Sequence, residues 1–282
     1  MINEKILMVK NYSINNFDGI TEKLKAEFER KNAELVVLNN AEISMMTDDE
    51  LIFNKCLYWD KDISLGLRLE LAGMRLFNNI GSIELCDDKR RTYQLLKNDF
   101  NIPETVVFPL SFQKNDEFLD KFDIKIAKQL GFPMIVKEAF GSLGEQVFLI
   151  NNMEMLQKMT QKLWNTPHLY QKYVQNSHGR DIRIYAVGGK IIGAMERKND
   201  NDFRSNIFLG GQSRQIEVTD EMENIAKDIS DLFGLDFCGI DLLYGENELL
   251  VCEVNSNALF TNFDKTCNTN AASEIADYMI NY

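Results

Sequence analysis

Two acidic residues interrupt apolar segments near the C-terminal end of the sequence. Asp241 follows Gly239-Ile240, and Glu253 lies between Cys252 and Val254. A lone buried carboxylate is costly, so such acids form ion pairs, take up a proton or bind a metal. A three-residue hairpin loop centred on Asn247 would place Asp241 opposite Glu253, and strand alternation puts Asn255 on the same face. These oxygen ligands suit Mg2+ or Mn2+. The alternative is that both acids pair with nearby basic residues.

A lysine and a glycine-containing loop offer a place for phosphate groups. Lys137 ends an apolar strand predicted at 133–137, and the loop 140–144, which includes Ser142, follows it. Glycine lets backbone N–H groups approach a phosphate, and lysine supplies the charge. Ordinary hairpins carry the same signature, so this segment alone leaves both interpretations open.

Further charged residues lie between these two segments. Arg204 is in a polar loop, where a guanidinium could stabilise a transferring phosphoryl group. Asp181 and Arg183 share one face of a predicted strand. The alternative for Asp181 and Arg183 is a cross-strand ion pair with Glu196.

The elements that must position these residues fall into three predicted units, 1–85, 86–168 and 169–282. In the first, strands at 6–9, 35–38, 56–59 and 83–86 alternate with helices at 17–31 and 63–77, which indicates a parallel α/β sheet. The remaining predictions are helices at 87–100, 153–164, 220–233 and 270–280, strands at 133–137, 146–150 and 169–174, a polar loop at 198–214, and hairpins at 181–187 with 190–197 and at 237–243 with 249–254.

Composition narrows the class of protein. The 282 residues carry a net charge of -12, which disfavours nucleic acid and anionic lipid as partners. No run of about 18 apolar residues occurs, so we expect no membrane helix, and no signal peptide is apparent at the start. Five cysteines without metal-site spacing fit reduced thiols in a cytoplasmic protein.

In order and spacing, these segments resemble the RimK-like carboxylate–amine ligases of the ATP-grasp superfamily, the alpha-L-glutamate ligase type. The resemblance covers about residues 86–282, and residues 1–85 are similar to the Rossmann-like domain that precedes the ATP-grasp lobes in this family. It rests on Asp88-Lys89, 133–137, Gln171-Lys172-Tyr173-Val174, 179–183, 202–206, Gly210-Gly211, Gly239-Ile240-Asp241 and 253–257.

The resemblance implies an α/β protein with two ATP-grasp lobes that uses ATP to join a carboxylate, activated as an acyl phosphate, to an amine. It also implies the role of each site residue. Lys89 and Lys137 would contact the ATP phosphates with Ser142, and the segment Gln171, Lys172, Tyr173 and Val174 would receive adenine. Asp181 would touch the ribose, and Arg183 would also belong to the nucleotide site. Arg204 would face the transferred phosphoryl beside Asn206. Asp241, Glu253 and Asn255 would bind two Mg2+ or Mn2+ ions.

Some assignments stay open. Lys172 replaces the glutamate usual in this family and is similar to the glutathione synthetase branch instead, and Leu209 replaces an arginine before the double glycine. The partners implied are a small-molecule carboxylate and an amine of an amino acid, peptide or protein, and homo-oligomers are common in the family. The rival hypothesis is an ATP-binding regulatory protein of the same fold without efficient ligase activity.

Overall fold

The computed structural model describes residues 4–14, 19–142, 144–206 and 210–282. Leu209 lies outside these ranges, and so do residues 17 and 18 of the predicted helix at 17–31 and residue 143 of the glycine-containing loop.

The N-terminal unit is built on a parallel sheet of four strands in the order β2-β1-β3-β4. The three strands predicted at 6–9, 35–38 and 56–59 are all present, and this arrangement is consistent with a Rossmann-like domain. The elements are β1 (Glu4–Lys10), α1 (Ile20–Arg30), β2 (Ala33–Asn39), α2 (Asn40–Ser44), β3 (Lys55–Trp59), α3 (Ile63–Leu71), β4 (Arg75–Phe77) and α4 (Ile80–Asp87).

Two predictions for this unit were wrong. The helix predicted at 63–77 ends at Leu71, because Gly73 turns the chain with a φ of 90°, a conformation that favours glycine. Residues 75–77 then form β4. The strand predicted at 83–86 is part of α4, whose N-cap, Asn79, accepts a hydrogen bond from the Ser82 N–H over 2.9 Å. Helix α4 also contains the predicted boundary between residues 85 and 86.

The central lobe carries an antiparallel sheet in the order β5-β8-β6-β7. Helices α6 and α7 cover one face, and their apolar residues form a core with Met134, Val136 and Tyr170. Helix α6 was not among the predicted elements. The lobe comprises α5 (Lys89–Leu96), β5 (Thr105–Val107), α6 (Asp116–Leu130), β6 (Met134–Glu138), β7 (Val147–Ile150), α7 (Met153–Leu163) and β8 (His168–Lys172).

The C-terminal lobe carries an antiparallel sheet in the order β11-β10-β9-β12-β13. Both predicted hairpins and the helix at 220–233 are present, the helix capped by Thr219 and ended by Gly234 as predicted. The end of the predicted polar loop is a strand, and α9 was not predicted. The elements are β9 (Arg180–Val187), β10 (Lys190–Lys198), β11 (Gln212–Gln215), α8 (Asp220–Phe233), β12 (Phe237–Tyr244), β13 (Leu249–Asn255), α9 (Thr261–Cys267) and α10 (Ala271–Asn281).

The N-terminal unit packs directly against the C-terminal lobe. Trp59 at the end of β3 stacks on Phe237 with ring centroids 5.6 Å apart, and both are buried in a core shared by the two regions. The carboxamide of Asn78, which is fully buried, donates to the carbonyls of Phe237 and Ser256 over 2.9 Å each. Across the described ranges, no helix is both long and apolar enough to cross a membrane.

Candidate ATP and metal site

The hairpin of β12 and β13 brings the two interior acids together. Asp241 pairs directly with Glu253, as predicted, but the loop and register of the hairpin differ from the predicted ones. Tyr244 pairs with Leu249, so the loop has four residues, 245–248, and not three. A bulge at Cys252 then shifts the register by one residue and restores the pairing of the acids.

Arginines from the neighbouring strands hold Asp241. Arg183 donates to both of its carboxylate oxygens through Nε and Nη2, and Arg197 Nη2 lies 3.0 Å from Oδ1. A Cβ on Gly239 would lie 3.3 Å from Arg183 Cδ, so glycine leaves room for this side chain. Burial alone raises the pKa of Asp241, but the charges of Arg183 and Arg197 outweigh it and lower the pKa to about 2. Asp241 is therefore ionised.

Asp181 pairs with Arg197, and the cross-strand pair with Glu196 considered above is absent from the described residues. Arg197 donates to Asp181 through Nε at 2.7 Å and Nη2 at 2.5 Å. Glu196 instead binds Arg214 and Tyr244. The Gly188-Gly189 turn would place Glu196 opposite Asp181, but a bulge between Ile191 and Gly193 moves Arg197 to that position. Arg197 therefore could not be recognised from the sequence as the partner of Asp181.

Two lysines approach this hairpin from the central lobe. Lys89, the first residue of α5, lies 3.3 Å from Glu253 Oε1 and donates to the Gly141 carbonyl over 3.2 Å. Lys137 on β6 is 9% exposed, and its Nζ lies 3.4 Å from Cys252 Sγ. A cavity between the lobes is lined by both lysines together with Gln171, Cys252 and Glu253.

Arg204 and Asn206 lie beside the glycine-containing loop. Arg204 donates from Nη1 to the Gly144 carbonyl over 2.7 Å and forms a two-point ion pair with Asp202. A Cβ on Gly144 would lie 3.8 Å from Asn206 Nδ2. Ser142, at the tip of the loop, is exposed. The loop that carries Arg204 and the glycine-containing loop are therefore in direct contact.

The predicted adenine segment follows the cleft from β8 outward. Gln171 is buried and donates to Thr105 Oγ1 over 2.9 Å, and the Lys172 N–H donates to the Glu104 carbonyl over 2.8 Å. The side chain of Lys172 is exposed, so its replacement of glutamate changes the rim of the cleft. Tyr173 contacts His178, and Val174 precedes a short 3-10 turn at 175–177.

Both acids among the candidate metal ligands are ion-paired in this structure, Asp241 with Arg183 and Arg197 and Glu253 with Lys89, which is the alternative considered from the sequence. Within the described ranges, no group of three or more His, Cys, Asp or Glu side chains is placed to hold a metal ion. Asp241, Glu253 and Asn255 supply two carboxylates and an amide, and Mg2+ commonly takes one or two carboxylates and completes its shell with phosphate and water. Asn255 Nδ2, a hydrogen-bond donor, is buried without a partner in the described structure, so it fits an acceptor such as a phosphate oxygen and not the metal ion itself.

Basic side chains outnumber acidic ones where α5 and β6 face the C-terminal sheet. This small excess of positive charge favours a complex of an anion with a metal cation over the free anion or the free cation. The basic residues are Lys89, Lys137, Arg183 and Arg197, and the acidic residues are Asp181, Asp241 and Glu253.

Comparison with known proteins shows which family the chain resembles. Residues 86–279 match the RimK-like ATP-grasp domain. The chain is 38% identical over 223 residues to N-acetylaspartylglutamate synthase A of Mus musculus, which covers 78% of this chain and 57% of that protein. It therefore spans little more than half the length of that relative. It is 28% identical over 276 residues to coenzyme gamma-F420-2:alpha-L-glutamate ligase of Methanocaldococcus jannaschii, covering 92% and 93% of the two chains.

The solved structures agree on the fold. The crystal structure of a D-cycloserine synthetase superposes with a TM-score of 0.77 at 14% identity, covering 98% of this chain and 99% of that chain. The protein thus has the ATP-grasp fold, and with residues 86–279 matched it belongs to the RimK-like ATP-grasp family.

Proposed function

We propose that this protein is an ATP-dependent carboxylate–amine ligase. The observation that carries the proposal is the meeting of Lys89 and Lys137 with the Asp241–Glu253 pair across one cleft. Lysines facing a two-carboxylate face suit a magnesium–triphosphate complex. Two Mg2+ or Mn2+ ions would be held by Asp241, Glu253 and Asn255, and they would neutralise the charge of the β- and γ-phosphates.

In the proposed reaction, an oxygen of the substrate carboxylate attacks the γ-phosphorus of ATP, and the bond to the ADP oxygen breaks. The amine nitrogen then attacks the acyl carbon, phosphate leaves with the bonding electrons, and the nitrogen loses its extra protons to solvent. Arg204, held by Asp202 and Gly144, would stabilise the transferring phosphoryl with Lys137. Gln171 to Val174 would bind adenine, and the protein's main contribution would be positioning and charge neutralisation.

Glutamate is the amine substrate we infer first. Glutamate is part of the name of both the mouse and the archaeal relative. A peptide acceptor is the second choice, because one structural neighbour is an ATP-grasp ligase complexed with a precursor peptide, with a TM-score of 0.71 at 17% identity. A homo-oligomer is part of the proposal and is tested by light scattering.

The test is ADP release with Mg2+, L-glutamate and a panel of carboxylates, with products identified by mass spectrometry. Asp241→Asn and Glu253→Gln should each lower ADP release by at least about 100-fold, more than the loss of an outer-shell metal partner. Glu246→Gln is the matched control, since Glu246 is exposed in the hairpin loop and loses the same charge.

Hydroxylamine can replace the amine and traps the acyl phosphate as a hydroxamate. Hydroxamate formation by the wild-type protein, and its loss in both variants, supports the ligase. If the wild-type protein binds ATP but releases no ADP with any carboxylate, the regulatory alternative replaces the ligase. Normal turnover in Glu253→Gln would refute the metal assignment.

A further inference from the structure

A second cavity lies on the other side of helix α5 from the ATP and metal site. Its volume is about 410 Å3, and it opens to solvent. Side chains of α4, α5 and β5 form its apolar wall, and these are Leu85, Leu95 and Val107. A cavity of this size holds a small organic molecule.

Helix α5 separates this cavity from the ATP cleft. Residues three or four positions apart share one face of a helix, so each cavity is lined by a continuous stripe of α5. The two stripes are Lys89, Thr92, Tyr93 and Leu96 on the ATP side and Arg90, Arg91, Gln94 and Leu95 on the other. The three consecutive cations at the start of α5 therefore divide, since Lys89 lines the cleft and the two arginines line the second cavity.

Arg90 presents a guanidinium group that the protein uses only in part. Its side chain is 19% exposed, and Nε and Nη2 donate to the two carboxylate oxygens of Asp88 over 2.9 and 2.6 Å. Asp88 also caps α5, because it accepts from the Arg90 N–H over 2.9 Å. Nη1 of Arg90 has no hydrogen-bond partner in the described part of the chain. The guanidinium is thus held in place with one edge left for an anion.

Arg91 gives the cavity a second cation. It lies 3.0 Å from Glu84 Oε1 in a pair whose side chains are 50% and 44% exposed, so water screens this contact. The ionised residues that line the cavity are two arginines and one acid, Asp88. The chain as a whole carries a net charge of -12, so a lining with more positive than negative groups is a local feature that favours an anion.

The apolar wall decides which kind of anion fits. Leu85, Leu95 and Val107 are half-buried and line the same cavity as the arginines. An inorganic anion would leave this carbon surface in water, whereas an apolar group attached to the anion would cover it. A carboxylate also matches the edge of a guanidinium group. The ligand class is therefore a small carboxylate with an apolar body.

The cavity joins the two regions that enclose the ATP cleft. Leu85 lies on α4, which is tied to the C-terminal lobe through Ser82. Val107 lies on β5, an edge strand of the central sheet that also carries Lys137. A ligand that contacts both walls binds best when the central sheet and α4 keep the arrangement in which Lys89 and Lys137 line one cleft.

We propose that this cavity is an effector site for a small amphipathic carboxylate, and that its occupation strengthens the binding of ATP. Arg90 and Arg91 bind the carboxylate, and the leucine and valine side chains cover the apolar body. The coupling rests on the part of the proposed function that places ATP between Lys89 and Lys137, because ATP then favours the same arrangement of the two walls. The carboxylate site itself requires no ligase activity.

The experiment is calorimetric titration of phenylbutyrate into the full chain loaded with AMP-PNP and Mg2+. Phenylbutanol, which has the same apolar body without the charge, is the comparison ligand and should bind at least about 10-fold more weakly. Arg90→Gln should weaken phenylbutyrate binding by about 10-fold, and Arg91→Gln by about 3-fold. Arg30→Gln, which removes an exposed arginine of α1, is the matched control.

The coupling is measured by titrating AMP-PNP with Mg2+ in the presence and absence of saturating phenylbutyrate. Phenylbutyrate should raise the affinity for AMP-PNP by about 5-fold or more. Val107→Phe, which fills the cavity from β5, should remove both phenylbutyrate binding and this rise while it leaves the binding of AMP-PNP alone unchanged. Equal AMP-PNP affinity with and without phenylbutyrate would overturn the coupling.

Thermal unfolding of each variant shows whether the fold is intact, and Arg91→Gln keeps the pair of Arg90 with Asp88 if Arg90→Gln is unstable. The inference is overturned if phenylbutyrate does not bind or binds no better than phenylbutanol. It is also overturned if Arg90→Gln and Val107→Phe bind phenylbutyrate as the wild-type protein does, since the anion then lies elsewhere, such as in the ATP cleft. None of these readouts uses ADP release or hydroxamate formation, so failure of the ligase would leave this site standing.

Discussion

Individual charged residues in this protein could be chosen from the sequence, but their partners could not. Asp241 and Glu253 are recognisable because acids rarely interrupt buried strands. The sequence does not show that Arg183 and Arg197 hold Asp241, because that depends on which residues face each other across three strands. The sequence also does not show that Asn257 Oδ1 is buried without a hydrogen-bond partner among the described residues, because this results from the packing of Asn257 against the distant Asp60.

A buried chain of hydrogen bonds in the central lobe illustrates the same point. Asp123, Thr160, Tyr170 and His168 are linked in that order over 2.6, 2.8 and 2.9 Å, and His168 Nδ1 lies 2.7 Å from the Thr166 carbonyl. The carbonyl requires a proton on Nδ1, so Nε2 is the acceptor in neutral His168. Burial lowers the pKa of His168 to about 4 and raises the pKa of Asp123.

This histidine predicts a pH dependence of stability. The unfolded chain binds a proton near its ordinary pKa of 6.5, whereas folded His168 does so near 4, so stability falls as pH drops through that window. The loss reaches about 3 kcal/mol. His168→Gln should remove this loss of stability at low pH. The measurement is the free energy of unfolding in urea of His168→Gln and of the wild-type protein at each pH.

His178 provides the control. It is exposed, so His178→Gln should keep the wild-type pH dependence. Parallel curves for the wild-type protein and His168→Gln between pH 4 and 6.5 would contradict the assignment.

Among the elements, long amphipathic helices and hairpins with strong turn signals could be predicted, and short segments could not. The hairpins at 180–198 and 237–255 are where the sequence places them, yet each contains a bulge. A bulge shifts every later pair by one residue, and it leaves no composition signal. In the first hairpin, the bulge places Arg197 and not Glu196 opposite Asp181. In the second, it restores the pairing of Asp241 with Glu253, which the four-residue loop would otherwise shift by one residue. Strand β4 was missed because its three residues, Arg75 to Phe77, are too few to show a period.

The stability of helix α8 depends on its N-cap residue, Thr219. The Thr219 hydroxyl accepts from the Met222 N–H over 3.3 Å, satisfying a donor that the helix itself cannot. Thr219→Ala should lower the free energy of unfolding by about 1 kcal/mol. Thr219→Ser keeps the hydroxyl and should lose much less. Chemical denaturation measures both, and equal stability of the two variants would show that the cap contributes nothing.

Across the whole molecule, the ATP-grasp resemblance could be read from the sequence, but the strand predicted at 169–174 was assigned to the C-terminal unit, whereas β8 pairs with β5 and β6 in the central lobe. The packing of the N-terminal unit was not predicted either. Its predicted boundary at 85 and 86 falls inside α4, and the apolar core of β1 and β3 continues into α10 and β12. Such contacts join residues about 200 positions apart, and local pattern carries no record of them.

The stack of Trp59 on Phe237 therefore predicts one cooperative unfolding transition. Trp59→Ala should lower the free energy of unfolding by about 3 to 5 kcal/mol, because it empties a site where Trp59 is 2% exposed. Trp59→Phe should lose less. Trp164, the second tryptophan, lies in the central lobe, so Trp164→Phe leaves Trp59 as the sole fluorescent reporter. Separate transitions by fluorescence and circular dichroism would contradict the shared core.

The short joint between α4 and α5 has a mechanical consequence. Helix α4 ends at Asp87 and α5 begins at Lys89, with Asp88 as the only residue between them. Ser82 on α4 is tied to the carbonyls of Phe233 and Gly234 over 2.7 and 2.8 Å. The position of Lys89, and with it the distance from Lys89 to Glu253, is thus set by a pair of helices anchored on the C-terminal lobe.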